Sequence, residues 1–226
     1  MRRSRTTMAD PHALLLACGT WPSPEVVQSL AVQAGHVIAL DGALARCEEH
    51  DLHADVLLGD MDSVKPEALA AFVERGGEVV ERPAQDANDL SKGLAYLEAL
   101  GGDACTVMGA TGGDPQQEWA NLLSCAASSL EITCIAPGHV YRFLRPGTHY
   151  SIEIGAGAEF SLFALPDATG VQLKGASFPL EDGRLEMGSR GLHNVAVERV
   201  VHLSYSEGRL MLMKPLTAPE EGTNEA

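Results

Sequence analysis

The first half of the chain alternates short apolar runs with longer stretches of helical periodicity. The apolar runs have the length of β-strands, and they lack the strict polar alternation of strands that face water on one side. Strands that are buried on both faces have this pattern, so it predicts a mostly parallel sheet covered by helices. We predict strands at 13–19, 36–42, 54–60, 78–83, 104–113 and 131–137, and helices at 23–34, 43–51, 65–76, 88–101 and 115–130.

The pattern changes after Pro137 and Gly138. From there, short alternating runs such as "YSIEI" and "VVHLSYS" are separated by Pro-Gly, Asp-Gly and Glu-Gly turn signals. This spacing is typical of an antiparallel sandwich or barrel. We therefore predict a Rossmann-like α/β domain over residues 11–138 and an antiparallel β-sandwich or barrel over 139–215, with flexible tails at 1–10 and 216–226.

The charge of the chain narrows the choice of partners. Acidic residues outnumber basic residues, 31 to 16, and the formal net charge of the 226 residues is −15. The phosphate backbone of a nucleic acid would be repelled by such a surface, so we expect no nucleic-acid partner. A nucleotide is still compatible with this charge, because a divalent cation can join carboxylates to phosphates.

The cysteines and the apolar segments indicate the cellular compartment in which the protein is expected. The chain has five cysteines, an odd number, and none forms a CxxC pair, so buried, reduced thiols are favoured over disulfides or zinc. No apolar segment is long enough to span a bilayer. We therefore expect a soluble, cytoplasmic protein with no membrane partner.

Carboxylates stand where two of the predicted strands end. "VLLGDMDSV" places Asp60 and Asp62 two positions apart after a buried run, and "HVIALDG" ends in Asp41. Positions two apart on an extended segment point to the same side, so Asp60 and Asp62 can face one cation. Magnesium prefers hard oxygen ligands of this kind. The alternative is that Asp60 caps a turn and Asp62 caps the following helix.

Two further loops follow predicted strands. "QDANDL" contains Asp86 and Asp89, although Asn88 or Asp89 would also serve as a helix N-cap. The backbone of "GATGG", residues 109–113, can approach a phosphate or a ring closely, although glycines also serve a tight turn. It is not a Walker A loop, because no Gly-Lys-Ser/Thr follows. Ligands bind beyond the carboxyl ends of parallel strands, so acids and glycines at four strand ends favour a metal–phosphate site.

Nucleophilic chemistry is not indicated. Ser63 has no neighbouring histidine in sequence, and most of the eight histidines are expected at the surface or at edges. His193 differs from these because it lies in "GSRGLHN", a glycine-rich turn of the second domain. Trp119 is expected to pack on a helix face, with the lining of a ring pocket as the alternative.

Four segments, taken in chain order, resemble the thiamine pyrophosphokinase family. They are "DGALARCEEHDLHADVLLGDMDSV", "QDANDLSKGLAYL", "MGATGGDPQQEWANLL" and "GSRGLHN", and the most specific part is similar to the family signature Gly-Asp-x-Asp-Ser. The resemblance implies an α/β nucleotide domain joined to a β-sandwich, and a homodimer with a shared active site. It also implies Mg²⁺-dependent transfer of a diphosphoryl group from ATP to thiamine, which gives thiamine diphosphate and AMP.

The resemblance further implies roles for individual residues. The catalytic residues would be Asp60, Asp62, Asp86 and Asp89, and the ligands of Mg²⁺ would be Asp60, Asp62 and Asp86. The nucleotide would bind at Asp41, Gly42, Gly59, Ser63, Gly109, Thr111, Gly112 and Gly113. The acceptor would bind at Asp114, Gln116, Gln117, Asn121, Ser189, His193 and Asn194.

The segment after "GATGG" departs from the family pattern. Where Arg-x-Asp-His is usual, this chain has Asp114, Pro115, Gln116 and Gln117, and His193 replaces a usual serine. Asp114 either restores the lost charge near a cationic acceptor or only caps the helix that starts at Pro115. Two other functions stay open: a related diphosphokinase that acts on another alcohol, such as a hydroxymethylpterin, and a non-catalytic nucleotide-binding homologue.

Overall fold

The computed structural model describes residues 12–83 and 87–216. Asp86 lies outside these ranges, and so do both predicted tails except for Leu216. Thirteen strands are formed within the described residues: β1 (Ala13–Leu16), β2 (His36–Leu40), β3 (Val56–Gly59), β4 (Glu78–Glu81), β5 (Ala104–Met108), β6 (Glu131–Ala136), β7 (His139–Leu144), β8 (Tyr150–Glu153), β9 (Glu159–Lys174), β10 (Leu180–Glu186), β11 (Asn194–Val195), β12 (Val200–Ser204) and β13 (Glu207–Pro215).

The helices all lie in the first part of the described chain. They are α1 (Pro24–Gln33), α2 (Leu44–Glu49), α3 (Pro66–Glu74), α4 (Asp89–Ala99) and α5 (Pro115–Ala127), with a short 3₁₀ helix over Asp41–Ala43. Three of them begin with proline, whose fixed φ and missing N–H suit the first helical position. The first helix, predicted over 23–34, begins at Pro24, with Ser23 at the N-cap position.

Strands β4, β3, β2, β1, β5 and β6 lie side by side in that order and are parallel. Alternate residues of these strands enter two separate cores. Leu15 and Ile38 pack on one face of the sheet, and Leu14 and Ala39 pack on the other. Burial on both faces explains why the strands read as apolar runs without polar alternation, so the predicted parallel sheet is confirmed.

The strand order reverses at β1. The chain adds β2, β3 and β4 on one side of β1 and then returns to place β5 on its other side. A crevice forms beyond the carboxyl ends of two strands at such a point, and ligands of open α/β sheets bind there. The loops that follow β1 and β5 therefore flank the expected ligand site.

The C-terminal part is antiparallel. The long strand β9 pairs with β10, β11, β12 and β13, and a third core lies there, with Val171, Leu173 and Leu212 among its residues. The predicted fold class is thus confirmed. Strand β7 pairs with both β6 and β13, so one hydrogen-bonded sheet runs across the predicted boundary at 138. The division into two domains stays a prediction.

Two expectations about single side chains are wrong. Trp119, expected to pack on a helix face, is 59% exposed, and the buried residues of α5, Cys125 and Ala126, lie near the other end of the helix. Cys18 is exposed rather than buried, whereas the other four cysteines are buried, and all five are free thiols. Helices that are both long and apolar enough to cross a membrane do not occur in the described part of the chain.

Candidate active site

A cleft of about 610 Å³ lies at the point where the strand order reverses. It is bounded by the loop after β1, the segment after β3, the start of α4, and the glycine-rich loop that leads into α5. Eight of the residues predicted for the site line it: Asp60, Asp62, Asp89, Gly112, Gly113, Asp114, Gln117 and Asn121. Segments of the chain from Ala17 to Asn121 are therefore brought to one cavity.

Most of the other residues predicted to bind the nucleotide do not line the cleft themselves but contact residues that do. Gly42 lies against Cys18, the hydroxyl of Ser63 donates to Asp62, and Gly109 and Thr111 bond through their carbonyls to the loop after β1. Gln116, in the first turn of α5, is exposed.

Three carboxylates form a cluster at the edge of the cleft. Asp41, Asp60 and Asp62 each place one oxygen within 4.8 Å of the others. Asp41 is only 3% exposed, and its two oxygens accept the N–H groups of Gly42, at 2.6 Å, and Met61, at 3.2 Å. Burial raises the pKa of Asp41 to about 6, and the nearby charges of Asp89 and Asp60 add to this. The cluster therefore holds more negative charge than its surroundings compensate.

Asp60 and Asp62 converge through a turn and not, as predicted, along an extended strand. Strand β3 ends at Gly59, and Met61 adopts a left-handed backbone with φ of 66°. The N–H of Asp62 then donates to the Asp60 carboxylate at 3.4 Å, and this hydrogen bond lowers the pKa of Asp60. A non-glycine residue in this conformation is energetically costly, and such residues cluster at active sites and ligand-binding sites. The alternative role of Asp62 as a helix cap is wrong, because Lys65 is the N-cap residue of α3.

Gly59 is required by the position of Asp41. A Cβ atom on Gly59 would lie 2.6 Å from the carboxyl carbon of Asp41, closer than real Cβ contacts. The glycine that precedes Asp60 in sequence therefore makes room for the buried carboxylate of the cluster.

The sequence left open whether Asn88 or Asp89 is the N-cap of α4, and the structure decides between them. Asn88 is the N-cap, since its side-chain oxygen accepts the N–H of Ser91 at 2.9 Å. Asp89 is free of that role, and its carboxylate instead accepts from the ammonium of Lys92 at 2.9 Å. Asp86, the third predicted metal ligand, lies outside the described residues.

The glycine-rich loop is fixed from two sides. Backbone N–H groups of Gly19 and Thr20 donate to the carbonyls of Gly109 and Thr111 at 2.8 and 2.7 Å. On the other side, Glu118 accepts the N–H of Gly112 at 2.8 Å. The loop is therefore held both to the end of β1 and to α5.

Asp114 caps α5, as one of its two predicted roles required. Its carboxylate accepts the N–H groups of Gln116 at 2.7 Å and Gln117 at 3.4 Å. Two carboxylates, those of Asp114 and Glu118, therefore remain at the cleft in the segment that departs from the family pattern.

Sequence reasoning missed Lys92 and Glu118. Lys92 lies near the start of α4 within 3.5 Å of Asp60 and is 8% exposed, and Glu118 holds the glycine-rich loop. The available signal for Lys92 was its place three residues after Asp89 on a helix whose neighbouring positions 90, 93 and 94 are apolar or small.

The predicted acceptor residues of the C-terminal part lie elsewhere. A second cavity of about 390 Å³ is lined by residues 162–194, including Asn194, and shares no lining residue with the cleft. The amide of Asn194 is engaged with the backbone of Phe178, at 2.9 and 3.0 Å. Ser189 and His193 are exposed, and the His193 ring lies 3.0 Å from Glu159.

The carboxylate cluster fits a hard divalent cation. All three donors are carboxylate oxygens, and the elevated pKa of Asp41 reflects an electrostatic cost that a cation would remove. Lys92, at 3.5 Å from Asp60, compensates one side of the cluster only. Asp41, Asp60 and Asp62 are thus the residues of the described chain that could hold Mg²⁺.

Comparisons with known proteins agree with this geometry. Residues 27–135 match the family model described as thiamin pyrophosphokinase, catalytic domain. A comparison with curated protein sequences gave no match.

Solved structures share the fold. Thiamine pyrophosphokinase from Bacillus subtilis superposes with a TM-score of 0.74 and 18% identity, covering 92% of this chain and 100% of its own. A thiamin pyrophosphokinase family protein from Enterococcus faecalis gives 0.72 and 19% over 92% and 100%. The thiamin pyrophosphokinase from Candida albicans gives 0.75 and 16% over 91% and 90%. The resemblance predicted from the motifs is therefore confirmed: residues 27–135 match the model of the family's catalytic domain, and nearly the whole chain has the fold of these solved structures.

Proposed function

We propose that this chain is a diphosphotransferase that moves the β- and γ-phosphoryl groups of ATP to thiamine and releases AMP. The observation that carries the proposal is the cluster of Asp41, Asp60 and Asp62 at the cleft of a chain that matches the family's catalytic domain. A cluster of this kind is suited to phosphoryl transfer, which depends on positioning and charge neutralisation more than on covalent help from the protein.

Asp41, Asp60 and Asp62 would hold Mg²⁺, with Asp86 as a further predicted ligand. When bound, the ion would withdraw charge from the phosphates of ATP. The chain itself orients these ligands. The N–H groups of Gly42 and Met61 hold the Asp41 carboxylate, and the N–H of Asp62 holds that of Asp60.

The glycine-rich loop would receive the nucleotide. Space is open above Gly113, because no atom lies within 4 Å of the position that a Cβ would take. A phosphate or a ring can therefore approach this backbone closely. In the reaction the acceptor's hydroxyl oxygen bonds to the β-phosphorus, and the bond from that phosphorus to the oxygen bridging to the α-phosphate breaks. AMP then leaves, and the hydroxyl proton passes to water.

The charge of the cleft favours a cationic acceptor. Asp89, Asp114 and Glu118 line it together with the cluster, so the thiazolium ring of thiamine would enter a negative field. This supports thiamine despite the loss of the usual Arg-x-Asp-His segment.

We further propose a homodimer in which the C-terminal part of one chain completes the cleft of its partner. Ser189, His193 and Asn194, which the resemblance assigns to the acceptor, lie at or near the second cavity and away from the cleft of their own chain. Large apolar side chains at this end of the molecule, Phe178 and Leu192, are exposed. Light scattering at micromolar concentration should give twice the chain mass, and a fully active monomer would contradict the shared site.

The deciding experiment measures AMP formed from Mg²⁺ and ATP with thiamine, with a hydroxymethylpterin, and with neither. We expect AMP with thiamine only, in equal amounts with thiamine diphosphate. AMP with the pterin alone would identify another alcohol as acceptor. If ATP binds but none of the three mixtures forms AMP, the chain is a non-catalytic nucleotide-binding protein.

A further inference from the structure

Lys92 is a buried cation beside the carboxylate cluster. Its side chain is 7% exposed, and its ammonium lies 2.9 Å from one oxygen of Asp89 and 3.5 Å from one oxygen of Asp60. Asp89 and Asp60 are themselves 39% and 25% exposed, so the ammonium lies behind two carboxylates that reach the cleft. Its stem lies on the packed side of α4, where Leu90, Gly93 and Leu94 are buried.

The side chains that line the cleft are mostly negatively charged. Among the described residues that line the cleft, Lys92 is the one with a cationic side chain, against carboxylates at Asp60, Asp62, Asp89, Asp114 and Glu118. A phosphate chain that enters this cleft would meet mainly negative charge from the protein. Charge-assisted hydrogen bonds from an ammonium to phosphate are the strong type of contact that such a ligand needs.

We propose that Lys92 is a phosphate-binding residue: its ammonium exchanges the longer contact with Asp60 for an oxygen of the nucleotide's phosphate chain, while Asp89 keeps it in place. This inference rests on the proposed function, because it takes a nucleoside polyphosphate as the ligand of the cleft.

The two contacts of the ammonium differ in a way that suits this exchange. The bond to Asp89 has the length of a charge-assisted hydrogen bond, whereas 3.5 Å to Asp60 is an ion pair without good hydrogen-bond geometry. An ammonium has three N–H donors, so it can keep Asp89 and still donate to a phosphate oxygen. Asp60 would be released toward the cation that the cluster holds.

The experiment measures binding rather than turnover. Calorimetry follows the affinities of purified wild type, Lys92→Met and Lys92→Arg for Mg²⁺ alone, for ATP with excess Mg²⁺, and for adenosine. Methionine keeps the stem and removes the charge. Lys174→Met, an exposed lysine on β9, is the matched control.

Lys92→Met should lower the affinity for ATP with Mg²⁺ at least 30-fold, whereas Lys92→Arg should stay within tenfold of wild type. The affinities of Lys92→Met for Mg²⁺ alone and for adenosine should not weaken by more than threefold. If ATP affinity is unchanged, or if ATP and Mg²⁺ affinities fall together, the proposal is wrong, since Lys92 would then be a spectator or only a support for Asp60.

Two further arms keep the inference testable. If Lys92→Met fails to fold, the double variant Lys92→Met, Asp89→Asn removes the ammonium together with one partner charge, and it should fold and bind ATP with Mg²⁺ at least 30-fold more weakly than Asp89→Asn alone. Wild-type binding of ATP without transfer to thiamine would reject the proposed reaction but leave the role of Lys92 intact. Normal transfer by Lys92→Met would reject Lys92 but leave the reaction intact.

Discussion

The side-chain amides of Asn88 and Asn121 share a hydrogen bond of 2.9 Å that joins the start of α4 to α5. Each amide is also used a second time. The oxygen of Asn88 accepts from Ser91 as the N-cap of α4, and the nitrogen of Asn121 donates to the carbonyl of Ala110 at 2.9 Å in the glycine-rich loop. The pair therefore sets the distance between that loop and the helix that carries Asp89 and Lys92.

Breaking the hydrogen bond between Asn88 and Asn121 should destabilise the protein, and the stability losses of the two single variants should not be additive. Asn88→Ser keeps a good N-cap but cannot reach Asn121, and Asn121→Ala removes the other partner. Urea unfolding should show that the double variant loses less stability than the sum of the single variants, by about 1 kcal/mol. Strict additivity would mean that the two amides act independently.

Asp60→Asn and Asp62→Asn should each lower diphosphoryl transfer more than 100-fold, about 3 kcal/mol or more, because one ligand of the cation is lost. Both should also remove the rise in melting temperature that Mg²⁺ gives to the wild type. The melting temperature without Mg²⁺ should hold, since neither side chain is buried. Asp103→Asn, at an exposed surface position, is the control. Near-wild-type turnover of either variant at limiting Mg²⁺ would reject the assignment.

The parallel sheet was predictable because strands such as β1 and β2 are buried on both faces and carry that burial in their composition. The cluster was predictable in part, because parallel strands bring Asp41 and Asp60 to the same edge. The left-handed turn at Met61 was not predictable, since methionine has no preference for that conformation and the contacts with Asp41 impose it. The spacing of Lys92 from Asp89 was visible in the sequence, but its contact with Asp60, 32 residues away in the chain, was not, and that contact is what places Lys92 at the cluster.

Glu98 should make stability depend on pH. One oxygen of this carboxylate accepts from the hydroxyls of Ser128 and Ser129 and from the N–H of Ser129, at 2.7, 2.9 and 2.8 Å, which lowers the pKa of Glu98 in the folded state. A lowered pKa stabilises the folded state above the unfolded pKa of about 4.3, and this contribution is lost as the pH falls through the folded pKa. Glu98→Gln should therefore melt below wild type at pH 7, with the difference closing below about pH 4. A difference that stays constant from pH 7 to pH 3 would contradict the role of the charge.

Asp114 allows the cap and the charge to be tested apart. Asp114→Asn keeps an oxygen for the N–H of Gln116, whereas Asp114→Ala removes it and should cost about 1 kcal/mol of stability. If the charge also serves the cationic acceptor, Asp114→Asn should raise the KM for thiamine and leave the KM for ATP and the melting temperature unchanged. An unchanged KM for thiamine would restrict Asp114 to its role as a cap.

Gly59→Ala tests whether the Asp41 carboxylate must sit against the backbone of β3. The added methyl would lie 2.6 Å from the carboxyl carbon of Asp41 and 2.8 Å from one of its oxygens, so the carboxylate has to move. Its bonds to Gly42 and Met61 would be lost or lengthened, and the left-handed turn that brings Asp60 toward Asp62 would lose the contact that supports it. We expect a loss of about 1–3 kcal/mol in stability, as for other overpacked sites, together with at least a tenfold loss of Mg²⁺ affinity by calorimetry.

Gly77→Ala separates the two effects of that substitution. Its Cβ would lie 2.3 Å from the Phe72 ring, away from the cluster, so it should destabilise the protein by a similar mechanism. Its affinity for Mg²⁺ should nevertheless equal that of wild type at temperatures where both are folded. If Gly59→Ala also kept wild-type Mg²⁺ affinity, Asp41 would not be a ligand. If both variants lost affinity to the same extent, the loss would report general loosening of the fold rather than displacement of Asp41.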